Sequence, residues 1–226
     1  MSNGARGLPS PTIIFVRHGE KSRHSGGHLS RVGQLRARFL ADYFLHPFDD
    51  FPRPRELHAM TLSGRGRSRR CEETLWPTAG AGALTLDLVP RHRTEAFAEE
   101  LARRANACDS QSANVVLVCW EHSRIVDMVN VIAGRPEVPA VRSWGLDPRA
   151  EEDDKECFDA TWVCTFDTTS FSRTMTLTVF KQFDVVGGQP YYRPDCPRNR
   201  VWYRETFALD RDAAHPAVFS VPCVVS

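Results

Sequence analysis

Hydrophobic positions along the chain fall into two kinds of run. Thr12 to Val16 and Val115 to Trp120 are short, unbroken and rich in β-branched residues, the pattern of strands buried on both faces. Between them the period changes. Leu35, Phe39, Leu40, Tyr43 and Phe44 recur at helical spacing behind Ser30, which has the chemistry of a helix N-cap. The proline-rich FPRPRE segment ends that helix ahead of a second strand around Glu56 to Leu62. A Gly/Arg loop, Ser63 to Arg70, feeds a helix expected to end near Trp76 and Pro77, and Leu84 to Val89 reads as a weaker third strand. Thr94 opens a helix with Phe97, Leu101 and Ala105 on one face. After the strand at Val115, Ile125, Val126, Val129, Val131 and Ile132 continue a helix until Gly134 and Pro136 stop it.

Strand and helix therefore alternate up to residue 134, which predicts an α/β domain, a three-layer α/β/α sandwich around a mostly parallel sheet. Residues 160–166 and 174–183 alternate as an antiparallel hairpin added at the sheet edge. The expected division is a disordered leader over 1–11, one domain over 12–186, and an irregular extension over 187–226 packed on that domain.

Composition narrows the classes. A chain of 226 residues closes a core without disulfides or metals, and a net charge of +1 gives no global attraction to nucleic acid or membrane. No apolar signal region opens the chain and no run reaches membrane-spanning length, so a cytoplasmic protein is expected. The seven cysteines are odd in number and lack CxxC spacing; they read as reduced thiols, with Cys196–Cys223 as the one pairing worth noting. All but three of the basic residues are arginines, whose planar forks suit phosphate and carboxylate.

The chemistry gathers at strand ends, where ligands of open α/β sheets bind. The two clearest strands run out into His18 and into Glu121 and His122, and the loop after the second strand carries Arg65, Arg67, Arg69 and Arg70. Two imidazoles among fixed guanidiniums suit a phosphoryl group better than a metal, whose histidine ligands must be neutral and free of crowding cations, usually with carboxylates or thiols nearby. No HExxH, GxxxxGK[ST] or GxS-type elbow is present, so a zinc site, a P-loop and a serine nucleophile find no support.

Arg17-His18-Gly19 at the end of the first strand resembles the RHG signature of the histidine phosphatase superfamily, the phosphoglycerate mutase-like proteins. Leu29-Ser30-Arg31-Val32-Gly33-Gln34 is similar to that family's L[ST]xxGxxQ helix start, with the glutamine two places early. Arg70-Cys71-Glu72-Glu73-Thr74 is similar to its R-A-x-Q-T segment, and Val115 to His122 to the strand that delivers a second histidine. The four segments stand in family order.

The resemblance implies a phosphatase that needs no metal or other cofactor. His18 would be the nucleophile and form a phosphohistidine, Arg17, Arg70 and His122 would hold the phosphoryl oxygens, and Gly19 would let the backbone approach. Glu95 is the first candidate for the acid that protonates the leaving oxygen and Glu121 the alternative, with Glu20 a third carboxylate. Glu20, Ser30, Arg67 and Ser123 join Gly19 as candidate substrate contacts. Only 26 residues separate Glu95 from His122, too few for the long insertion of the mutases. A compact phosphatase acting on a small phosphorylated substrate is therefore expected. A catalytically weak phospho-ligand binder of the same fold and a mutase-type phosphotransferase are the alternatives.

Overall fold

A computed structural model describes residues 11–23, 26–45, 52–62, 68–107, 114–134, 160–167, 173–181, 184–186, 188–191 and 201–209. Four βα units come first: β1 (Thr12–Arg17), α1 (Arg31–Leu45), β2 (Glu56–Thr61), α2 (Arg70–Gly82), β3 (Leu86–Pro90), α3 (Thr94–Ala107), β4 (Val115–Trp120) and α4 (His122–Ile132). A short 3-10 turn, Arg91–Arg93, joins β3 to α3. Five further strands follow: β5 (Ala160–Asp167), β6 (Thr174–Lys181), β7 (Asp184–Val186), β8 (Gln189–Tyr191) and β9 (Val201–Ala208).

Seven strands form one mixed sheet in the order β3-β2-β4-β1-β5-β6-β9. The first four are mutually parallel, with Thr12 to Arg17 in register with Val115 to Trp120. β5, β6 and β9 continue the sheet as an antiparallel meander. The crossovers through α1 and α2 step one way across the sheet and the crossover through α3 steps back. Right-handed connections therefore place α1 and α2 on one face and α3 and α4 on the other. This is the α/β/α sandwich expected from the alternation of periods.

β1 and β4 sit at the centre, with neighbours on both edges and helices on both faces, and every residue in them is buried. That is why they read as unbroken apolar runs rather than as alternations. Phe15, Trp120, Trp162, Tyr43 and Phe44 fill the layers around them.

Two expectations change. α2 does not stop at Trp76–Pro77 but runs through Pro77 to Gly82. Its buried stripe of Cys71, Thr74, Leu75 and Thr78 crosses the proline, and packing of that stripe outweighs the lost backbone hydrogen bond. The region after 187 is not wholly irregular either. β9 pairs along β6 and closes the edge that the hairpin would have exposed, and β7 and β8 form a small separate ladder whose turn holds Gly188 at φ 83. Prolines and arginines around residues 190–200 hide the alternation of β9 in the sequence. Cys71, Cys119 and Cys164 are buried free thiols; Cys196 and Cys223 lie outside the described residues. No helix among the described residues is long and apolar enough to cross a membrane.

The end of α2 also yields a stability prediction. Ala83 takes a left-handed conformation at φ 52, while the Ala83 and Leu84 amides donate to the carbonyls of Gly80 and Ala79. Such a helix end favours glycine, because a Cβ in that region is strained by about 1 kcal/mol. Ala83→Gly should therefore raise the melting temperature by roughly 2 °C in calorimetry. An unchanged or lowered midpoint would refute the assigned strain.

Candidate functional site

The parallel register brings the ends of β1 and β4 side by side. Arg17 lies opposite Trp120, and the His18 amide donates to the Trp120 carbonyl at 3.3 Å. His18 thus follows β1 at the same level as Glu121 and His122 follow β4. Glu121 keeps extended backbone and His122 is the first residue of α4, so the second histidine stands at a helix N-terminus.

His18 is only 4 % exposed, and its Nδ1 lies 2.8 Å from the carbonyl oxygen of Gly19. A carbonyl can only accept, so Nδ1 carries the proton and donates it. In the neutral ring Nε2 then holds the lone pair. Neutrality is secured by the surroundings: burial pushes the His18 pKa from 6.5 down to about 3. The Gly19 hydrogen bond acts the other way, while the charges of Arg70, Arg17 and His122 add to the lowering.

Arg17 is 4 % exposed at the end of β1. Arg70 opens α2, with its Nε donating to the Ser68 hydroxyl at 2.8 Å, so a buried serine outside the motif orients that guanidinium. Arg69, next to it, turns away: it pairs with Glu72 at 3.0 Å and lies over the Trp76 ring at 4.6 Å.

Gly19 has a more specific role than the one expected of it. A Cβ there would meet the Gly33 carbonyl oxygen at 3.0 Å, and a Cβ on Gly33 would run into the backbone of Glu20. Two glycines thus let the turn after β1 cross the first turn of α1 backbone to backbone. The closeness that the RHG glycine permits is closeness to Gly33.

Other expected contacts are engaged within the protein. Ser30 is the N-cap of α1, its hydroxyl accepting the Gly33 amide at 3.1 Å, as its position suggested. The Glu20 carboxylate receives Arg36 through Nε at 3.0 and 3.1 Å and through a terminal nitrogen at 2.6 Å. Arg36 is 3 % exposed and stands three places after Gly33, where the family segment has its glutamine. A buried guanidinium needs a counter-charge, and the half-buried Glu20 supplies it. A charge on the apolar face of a predicted helix was the available sign of this pair. Glu121 accepts from Arg91 Nε at 2.9 Å. Ser123 is exposed in the first turn of α4, and Arg67 lies outside the described residues.

Glu95 is exposed in the first turn of α3, and its neighbour Thr94 accepts the Trp120 indole N–H at 3.2 Å. That bond, with Phe97 stacked on Trp120 at 5.6 Å, draws the start of α3 to the end of β4. The motif residues without an assigned role also matter. Glu73 accepts the Leu29 amide at 2.8 Å and pairs with His28 at 2.5 Å, clamping the loop after β1 to α2. Thr74 accepts the Gly19 amide at 2.9 Å. Among the described residues no group of three or more His, Cys, Asp or Glu side chains could hold a metal ion.

No family model matches the chain, and no curated protein matches it. Nine solved chains are similar to it, among them the following three. One, from Nakamurella multipartitia, bears the name of a candidate phosphohistidine phosphatase SixA, with 14% identity, 69% of this chain and 84% of that chain covered, and a TM-score of 0.39. Another of the same name, from Agrobacterium tumefaciens, has 14% identity, coverage of 69% and 92%, and a TM-score of 0.42. A phosphoglycerate mutase from Plasmodium falciparum has 10% identity, coverage of 88% and 99%, and a TM-score of 0.42. These are the kinds of protein that the motifs resemble, but superpositions this loose carry no weight for function, which is argued from the side chains themselves.

The His18 environment predicts how stability depends on pH. Its folded pKa is depressed, so below pH 6.5 the unfolded chain takes up a proton that the folded one refuses. The stabilisation is complete above 6.5 and is lost as pH falls from there towards 3. Urea denaturation should show His18→Gln losing stability less steeply than wild type across that window, by up to about 1.4 kcal/mol per pH unit. Parallel slopes would contradict the buried, neutral imidazole.

Proposed function

We propose that the protein is a phosphatase of the histidine phosphatase type, hydrolysing a phosphate ester through a phosphohistidine on His18, without a metal. The observation that carries this reading is the tautomer of His18. With Nδ1–H given to the Gly19 carbonyl, Nε2 is a neutral nucleophile beside Arg17, Arg70 and His122.

In the first step the Nε2 lone pair attacks phosphorus as the ester P–O bond breaks, and an acid protonates the departing alkoxide. In the second, water attacks the phosphohistidine, the P–N bond breaks, and the water proton returns to the carboxylate. Phosphate leaves and Nε2 regains its lone pair. Arg17, Arg70 and His122 hold the three equatorial oxygens, where charge spreads in the transition state, and they are fixed before substrate arrives. Glu95 is the favoured acid. Glu121 is held by Arg91 and Glu20 by Arg36, so both carboxylates are engaged within the protein.

His18→Ala should abolish hydrolysis of p-nitrophenyl phosphate, by at least about a thousandfold, and a chelator should leave the wild type unaffected. Activity that survives His18→Ala would end the proposal, and loss on chelation would mark a metallophosphatase. Tight phosphate binding without turnover would favour the phospho-ligand binder. The acid is located by leaving-group dependence. Glu95→Gln should slow alkyl phosphates about a hundredfold or more while barely affecting p-nitrophenyl phosphate, and Glu121→Gln should not discriminate between them. The reverse pattern would transfer the role to Glu121.

A further inference from the structure

One hydroxyl links the groups assigned to attack and to phosphate binding. Thr74 is fully buried in the second turn of α2. Its Oγ1 accepts the Gly19 amide at 2.9 Å and donates to the Arg70 carbonyl at 2.7 Å. Gly19 in turn receives the His18 Nδ1–H on its own carbonyl. Gly19 is thereby held from both sides, by the imidazole on its carbonyl and by the threonine on its amide.

From this chain of bonds we infer that Thr74 is the positioning residue for His18. It fixes the His18–Gly19 peptide against α2, which keeps the carbonyl that orients the imidazole in line and keeps Nε2 at one distance from the guanidinium of Arg70. The inference rests on the reading of His18 as nucleophile. Three features separate this role from ordinary core packing. Packing needs only the bulk of the side chain, whereas both bonds use the hydroxyl. The amide it binds belongs to the peptide that follows His18. The carbonyl it binds belongs to Arg70 itself. The Cys119 thiol, kept protonated chiefly by its burial, lies against the same hydroxyl.

Thr74→Val keeps the shape and removes the hydroxyl, leaving the Gly19 amide without its acceptor. It should lower kcat and the rate of phosphoenzyme formation roughly ten- to a hundredfold while KM changes less than about threefold. Thr74→Ser retains the hydroxyl and should recover most of kcat. The His18 Nδ1–H, followed by proton NMR in the folded protein, should exchange with water faster in Thr74→Val than in wild type or Thr74→Ser. A Thr74→Val protein with kcat within twofold of wild type would overturn the inference. So would a Thr74→Ser protein, folded by circular dichroism, that is as slow as Thr74→Val. Should Thr74→Val fail to fold, the Ser variant and the NMR exchange in wild type and Thr74→Ser still decide it. Failure here leaves His18 as nucleophile intact, whereas activity in His18→Ala removes the reading on which it rests.

Discussion

The hydrogen bond from His18 Nδ1 to the Gly19 carbonyl is the constraint around which this end of the molecule is built. It selects the tautomer, and so decides which ring nitrogen holds a lone pair. The bond exists only if the backbone doubles back just after β1, and that turn is made by glycines. Gly19 and Gly33 let the post-strand turn lie against the first turn of α1, where any side chain would push the two apart. Four contacts hold the chain around this crossing, each on a different group: Thr74 on the Gly19 amide, Ser30 capping α1, Arg36 on Glu20, and Glu73 on the loop at Leu29.

Electrostatics and burial act in concert on the imidazole. Desolvation is the larger effect and the guanidiniums add to it, which holds the His18 pKa down at about 3 and leaves the folded imidazole neutral above that. A buried neutral imidazole among permanent cations suits the anionic, tetrahedral substrate proposed for it. Cations that attract such an anion also keep a proton off the ring nitrogen. A neighbouring carboxylate would undo the second effect by raising the imidazole pKa. The arrangement of carboxylates respects that: Glu20 and Glu121 each have an arginine of their own, Arg36 and Arg91.

Much of this was legible in the sequence, for reasons that differ by element. β1 and β4 were plain because full burial on both faces leaves an unbroken apolar run, and their parallel alignment follows from strand–helix alternation. His18, Arg17, Arg70 and His122 could be grouped because strand ends and helix starts at one edge of a parallel sheet must converge. The extent of α2 was not legible: proline is a local signal, whereas the stripe of Cys71, Leu75 and Thr78 that overrides it is a tertiary one. β9 was hidden because its partner, β6, supplies the reason for it to be a strand. The partners of Glu20 and Gly19 within the protein were not legible, for a common cause. Motif residues near a phosphate-binding loop invite a substrate role, but a loop of that shape first needs caps, counter-charges and close backbone contacts. Arg36, a charge on the buried face of α1, was the one local sign of this, and Thr74 stood in a quoted segment without a role.

The position of phosphorus on the His18 ring tests the account most directly. Wild-type protein mixed with a fast aryl phosphate and quenched in strong base within milliseconds should retain an acid-labile phosphoenzyme. Nitrogen–phosphorus correlation NMR on the denatured protein, or on the isolated His18 peptide, then reports which nitrogen was modified. A phosphoryl group on Nε2 is the predicted result, since Nδ1 is committed to Gly19. Phosphate on Nδ1, or on any other residue, would contradict the account.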